Sequence, residues 1–271
     1  MGKIALISTL APGWDKSGYW QYYFNRLKTE KAIKPDTELE IINISGRAVM
    51  HRSGADTLYF DLLQRPYIVE AMIKAERDGY DAAINACYFD PGLDEAREVV
   101  NFPVVGVAEA SFSFALMLGR KKSSIAVIAV AEKGIMKTVD VLDKYGFTPH
   151  LIPVKPVRNI PEEIYINAIA VGSAAHIQAA KDAFTKVARE CVVDGAEIVI
   201  VGAAGLGAFL DQQEVLVVDG VPVLNCVTCA IKMAENLVDL QKLGTSVSRR
   251  LMYRKPVEED WETERKNFGF S

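Results

Sequence analysis

The sequence holds no apolar run near the roughly 18 residues that a membrane-spanning helix needs, which argues against a membrane partner. It also lacks a basic surplus, since 31 Lys and Arg stand against 35 Asp and Glu for a formal net charge of −4. Without spare cations to neutralise phosphates, nucleic acid is excluded as a main partner. Cysteine is sparse: Cys87, Cys191, Cys226 and Cys229 in 271 residues read as free thiols, not as a disulfide framework. The opening Met1-Gly2-Lys3-Ile4-Ala5-Leu6-Ile7 has neither the length nor the cleavage site of a signal peptide and reads as a first strand. A cytoplasmic location is therefore expected. What is present is ordinary globular material, half hydrophobic and 24% charged, which excludes a disordered or collagen-like chain. The one dense charge cluster, Arg249 to Glu264, reads as a solvated tail, with a subunit contact as the alternative.

Short apolar runs alternate with longer amphipathic stretches, the pattern of α/β units around parallel sheets. Strands are predicted at Lys3–Ser8, Glu38–Ile44, Ala82–Ala86, Pro103–Val107, Ser124–Val130, His150–Val154, Glu197–Gly202 and Pro222–Asn225. Helices are predicted at Gly18–Ala32, Thr57–Asp78, Leu93–Asn101, Glu109–Arg120, Lys133–Tyr145, Ala174–Asp194 and Thr228–Lys242. The stretch Val154–Pro161, which holds Pro156 and Pro161 and directly follows Pro153, reads as a loop.

The chain also repeats itself. Asp78-Gly79-Tyr80-Asp81-Ala82-Ala83-Ile84-Asn85-Ala86-Cys87 is matched by Asp194-Gly195-Ala196-Glu197-Ile198-Val199-Ile200-Val201-Gly202-Ala203. Each is a helix end, an Asp-Gly turn, an acidic residue and an apolar strand. Further on, Phe102–Gly106 parallels Val221–Asn225. A tandem duplication accounts for this. The expected fold is α/β with two pseudo-symmetric lobes, each a mostly parallel sheet flanked by helices, and a cleft between them. Residues 1–108 with 226–243 are assigned to the first lobe, 109–225 to the second, and 244–271 to a C-terminal extension.

Ligands of open α/β sheets gather beyond the carboxyl ends of the strands, and Cys87 is predicted at such an end. Asp90-Pro91-Gly92 reads as a helix start, with Asp90 as N-cap and Pro91 in the first helical position. A thiol near a helix N-terminus is favoured as thiolate, the form that takes a proton or attacks carbon.

The segment Cys87-Tyr88-Phe89-Asp90-Pro91-Gly92-Leu93 resembles the Asp/Glu/hydantoin racemase superfamily, in particular its hydantoin racemase branch and that branch's Cys-Phe-x-Asp-Pro-Gly-Leu segment. The likeness continues through Pro103–Ala110 and returns at Gly220-Val221-Pro222-Val223. The resemblance implies a small-molecule substrate held between two cysteines, one from each lobe. One thiolate removes a proton from the carbon beside a carbonyl while the opposite thiol delivers one to the other face, with no metal or organic cofactor. The family's second cysteine lies in a Gly-Cys-x-Gly segment; here the match is Gly202-Ala203-Ala204-Gly205. The internal repeat makes the same assignment, because Ala203 is the partner of Cys87. The opening loop Ser8-Thr9-Leu10-Ala11-Pro12-Gly13 and the Ala129-Val130 pair also depart from the family's hydroxyl- and amide-bearing patterns, which suggests a changed substrate.

Other residues enter as candidates. Cys226, at another strand end, is a substitute for the absent thiol; otherwise Cys226-Val227-Thr228-Cys229 is helix packing. His51 is a candidate base, with Arg47 or Arg52 for an anionic substrate. Ser8, Ala203, Ala204 and Gly205 are expected to border the substrate, Tyr88 and Phe89 to form an apolar wall, and Glu109 to orient cleft groups. Backbone N–H groups after Cys87 and around Ala203–Gly205 are the donors for an enolate. The leading expectation is a cofactor-independent racemase or isomerase acting through Cys87 on a small carboxylate or cyclic amide. The alternatives are a single-cysteine decarboxylase or hydrolase and, from another class, an inactive small-molecule binder. A homo-oligomer is expected.

Overall fold

A computed structural model describes residues 2–9, 18–44, 57–119 and 122–270. The first sheet contains β1 (Gly2–Ser8), β2 (Thr37–Asn43), β3 (Ala82–Asn85) and β4 (Val104–Gly106), all parallel, in the order β2-β1-β3-β4. Its crossovers carry α1 (Tyr19–Thr29), α2 (Leu58–Arg77) and α3 (Leu93–Val99), and α4 (Val107–Leu118) leads to the second lobe. There β5 (Ile125–Val130), β6 (Val157–Ile160), β7 (Ile198–Val201), β8 (Val217–Val218) and β9 (Val221–Asn225) lie in the order β6-β5-β7-β9-β8. Only β8 runs antiparallel. The helices of this lobe are α5 (Glu132–Lys144), α6 (Glu162–Ala170), α7 (Ala174–Val193) and α8 (Ala204–Gln212). Then α9 (Cys226–Lys242) returns to the first lobe, where Glu235 accepts from Thr37 Oγ1 at 2.6 Å, and α10 (Glu258–Asn267) ends the chain's helices.

The duplication holds at the level of individual bonds. Gly79 and Gly195 both turn the chain at positive φ (83° and 98°), a conformation open to glycine without strain. Tyr80 N–H bonds Ala75 O, as Ala196 N–H bonds Cys191 O. Asp81 N–H then bonds Lys3 O at 2.8 Å, and Glu197 N–H bonds Ser124 O at 2.8 Å. Ala86 N–H to Ile7 O is mirrored by Gly202 N–H to Ile128 O. The central strands β3 and β7 are buried throughout, which is why both read as unbroken apolar runs.

Strand alternation divides the core. Ile4 and Leu6 of β1 point into the larger cluster, which runs through Tyr19, Phe112, Phe184 and Phe209 and joins the lobes. Ala5 and Ile7 point the other way, onto Ile68 and Met72 of α2.

Three expectations are corrected. His150 belongs to a short 3-10 turn (Thr148–His150), and the predicted strand His150–Val154 contributes only an isolated bridge from Leu151 to Ile125. The strand itself, β6, lies inside the stretch read as a loop. Proline lacks an N–H, yet Pro156 supplies its carbonyl to Val127 N–H at 2.9 Å, and an edge strand tolerates this. Helix α6 follows directly, with Pro161 in the capping position, and had no expectation at all. The third correction, to the C-terminal charge cluster, is partial, because residues 249–264 are mostly exposed, as expected, yet are anchored to the first lobe. The Arg249 guanidinium caps the carbonyl end of α3, donating to Arg97 O at 2.7 Å, to Glu98 O at 2.9 Å and to Val100 O. Tyr253 Oη donates to Asp94, and buried Arg265 forks onto Glu70 of α2 (2.6 and 3.0 Å). Among the described residues no helix is long and apolar enough to cross a membrane.

Candidate functional site

Cys87 lies two residues beyond the carboxyl end of β3 and is half-buried. Its loop is pinned from below by Asn85, the fully buried last residue of the strand. Asn85 Oδ1 accepts from Cys87 N–H at 3.3 Å, while its Nδ2 donates to Pro91 O at 2.7 Å. Asp90 N–H closes the turn onto Cys87 O at 3.0 Å. A buried amide with such partners contributes about 1 kcal/mol per bond, and an orphaned one costs about 1–3 kcal/mol. Sequence reasoning missed this residue; its one signal is an amide ending an otherwise apolar strand.

Asp90 does not cap the helix that follows it. Helix α3 starts at Leu93, with Gly92 in the capping position at φ 73°. Asp90, at φ 44°, sends its carboxylate to the start of α4, where it accepts from Ala108 N–H at 3.4 Å and Glu109 N–H at 3.1 Å. Tyr145 Oη also donates to it, at 3.0 Å. Gly106 makes room, because any Cβ there would collide with the carboxylate. The physical reason for the correction is that α4's N-terminus offers two free N–H donors and the positive end of a longer helix.

Burial pushes Asp90 up to about 7, against the N–H and hydroxyl donors that lower it. The folded chain thus keeps a proton that an unfolded aspartate, near 3.8, has released. Its stabilising effect is full below about pH 4, declines as the pH rises, and is gone above about 7. The thermal midpoint of the wild type minus that of Asp90→Asn should therefore fall between pH 4 and 8. Parallel curves for the two proteins would refute this assignment.

The same geometry changes the reading of the thiol. Cys87 stands six residues before α3. Burial raises it to about 11, only partly offset by the Phe89 N–H and the Lys137 ammonium. At pH 8 this leaves roughly one thiolate in a thousand.

In the second lobe Ala203 occupies the corresponding place, two residues beyond β7 and half-buried in the capping position of α8. Ala204 and Gly205 are buried in the first turn, whose N–H groups have no carbonyl four residues back. Gly205 packs so closely under Tyr165 Oη of α6 that a Cβ there would have to displace the tyrosine. Ser8, which ends β1, is buried. The carboxyl ends of the two sheets meet at Phe89. A Cβ on Gly134 of α5 would stand 3.8 Å from its ring and 3.8 Å from Ala129 at the end of β5.

One group from outside the sequence reading joins this place. Lys137 of α5 reaches over from the second lobe, its Nζ 4.0 Å from the centre of the Phe89 ring and 3.6 Å from Asp61 Oδ1 of α2. No local pattern links positions 61, 89 and 137; only the meeting of the lobes does.

The remaining candidates divide. Cys226 is fully enclosed in the core, and burial drives its thiol well above the ordinary value. It offers no surface to a substrate, which corrects its expected role as the substitute thiol. Cys191 and Cys229 are likewise buried. Tyr88, 3% exposed, is turned into the core and forms no cleft wall, whereas half-buried Phe89 remains at the lobe junction. Glu109 pairs with Arg97 and borders a cavity of about 420 Å³ with Met233, Leu237 and Tyr253, so its carboxylate does not orient cleft groups. His51, Arg47 and Arg52 lie outside the described residues. Among the described residues, no cluster of three or more His, Cys, Asp or Glu side chains is arranged to hold a metal ion.

Known proteins share this architecture. Residues 25–234 match the Asp/Glu/hydantoin racemase family. The chain is 31% identical to the hydantoin racemase of Pseudomonas sp. (strain NS671) over 242 residues, 89% of this chain and 88% of the relative. It is 31% identical to the hydantoin racemase of Paenarthrobacter aurescens over 235 residues, 86% and 90% of the two chains. The allantoin racemase from Klebsiella pneumoniae superposes with a TM-score of 0.73 at 21% identity, covering 95% of each chain, and shares the fold. The chain belongs to the Asp/Glu/hydantoin racemase family and is a racemase-like enzyme.

Proposed function

We propose that this enzyme racemises a carbon beside the carbonyl of a small five-membered cyclic amide of the hydantoin type, with Cys87 as its one reacting thiol. The carrying observation is the equivalence of Cys87 and Ala203 at matching strand ends, where only the first can hold or release a proton. The substrate class rests on the two relatives that are 31% identical and named hydantoin racemases.

The chemistry follows from one sulfur. The Cys87 thiolate takes the proton from carbon, giving a thiol and a planar enolate. Backbone N–H groups in the first turn of α8 receive the enolate oxygen. Water on the Ala203 side returns a proton to the other face, and the hydroxide left behind takes the proton from Cys87. The cycle closes with the thiolate restored. No redox change occurs.

Enantiopure 5-monosubstituted hydantoin in D₂O tests this reading. Enzyme-dependent exchange of the substrate's own α-hydrogen, with loss of optical rotation above the uncatalysed rate, is the expected result. Deuterium confined to a decarboxylated product, or a thioester on Cys87, would replace it with the lyase or hydrolase alternative. Ligand-induced thermal stabilisation without any turnover would leave a binding protein.

A further inference from the structure

Lys137 and Asp61 are each only 9% exposed, and they come from different lobes. A buried ion pair of this kind is not required for stability, since apolar replacements of both partners are often neutral or better. Asp61 makes its closer contact with Arg65, at 3.0 Å, so one carboxylate is shared between two cations and the trio carries one net positive charge. That charge sits over the ring of Phe89, two residues along from Cys87.

We propose that Lys137 is a positioning residue for Cys87: extended across the lobe junction and fixed between Asp61 and the Phe89 ring, its ammonium balances the negative charge on the sulfur once the proton has left. The inference rests on the reading of Cys87 as the reacting thiol. Three charged groups act on that sulfur from the elements around it. Asp61 of α2 and Asp90 in the thiol's own loop oppose a thiolate, and Lys137 of α5 favours one. Burial disfavours the ion, and the ammonium is the one charged group of the three that, beside the Phe89 N–H, acts against that effect. It also makes the thiol depend on both lobes, since the sulfur belongs to one and its counter-charge to the other.

Alkylation of Cys87 in the intact protein tests this without a substrate. The rate with neutral iodoacetamide should rise about tenfold per pH unit between pH 8 and 10. Lys137→Met should lower that rate about tenfold across the range, as an opposite charge nearby shifts a pKa by one unit or more. Anionic iodoacetate should be slowed further still, whereas a merely looser cleft would quicken both reagents alike. Lys137→Arg should stay within about threefold of the wild type, since it keeps the charge. If Lys137→Met does not fold, the doubly neutral Asp61→Asn/Lys137→Met protein serves instead, and loss of the iodoacetate preference is the expected result. Rates unchanged or raised in the methionine proteins would overturn the proposal while leaving Cys87 as the reacting thiol. A Cys87 that is unreactive in the wild type at every pH would sink both readings together. Slowed alkylation in a protein that racemises no hydantoin would support the cation's role and reject the substrate.

Discussion

Cys87→Ser is expected to lower racemisation by about 10³- to 10⁴-fold, the upper part of the range that a positioned acid or base supplies. The substitution changes one atom and leaves every backbone bond of the loop in place: Asn85 still accepts from the N–H at 87, and Asp90 still closes the turn. What is lost is acidity. Even pushed up to about 11, a thiol gives far more conjugate base near neutral pH than an alcohol does. The thermal midpoint should stay within about 2 °C of the wild type, because the side chain is half-buried and its volume barely changes. The wild-type rate constant should climb with pH toward 11, since the sulfur must lose its proton before it can take one from carbon. A serine protein retaining a tenth of the activity would end the case for Cys87.

Ala203→Cys runs in the opposite direction and is the more demanding test. It is expected to raise turnover about 10- to 100-fold by giving the enolate an acid on its second face, within the contribution of one such group. The position can take the change. Residue 203 is half-buried and precedes the first turn of α8, where unpaired N–H groups stabilise a thiolate. The pH profile should also change form. One thiol must then be charged and the other neutral, so a rising curve becomes a bell whose two limbs belong to the pair. Mass analysis after alkylation would show whether the new thiol is reachable. A reachable thiol with neither gain in rate nor a descending limb would show that 203 does not face the reacting carbon.

The parts of this molecule that were legible in the sequence are those written in local pattern. The Asp-Gly turns at 78–79 and 194–195, the apolar strands behind them and the Cys87/Ala203 pairing are all carried by short runs of adjacent residues. They reappear with the same hydrogen bonds. The failures share a cause as well. Asp90 has the right spacing to cap α3, yet a helix start distant in sequence competes for its carboxylate and wins. Cys226 directly follows a strand, as Cys87 nearly does, but it begins α9 and is enclosed in the core. Lys137, Asp61 and Phe89 are ordinary residues until the lobes bring them together. Helix α6 and strand β6 were hidden by prolines whose missing N–H groups happen to fall where none is needed.

The methyl group at 203 has one more consequence, and it concerns chirality. Mirror-image substrates have equal free energies in water, so their second-order rate constants must agree whatever the enzyme does. Nothing forces equality once the protein is saturated. Under the proposed one-thiol mechanism one antipode presents its hydrogen to sulfur and the other presents it to a hydrocarbon surface, so the bound forms differ in energy. The handedness of this catalyst is therefore confined to its maximal velocities and half-saturation concentrations, which must be skewed in equal measure.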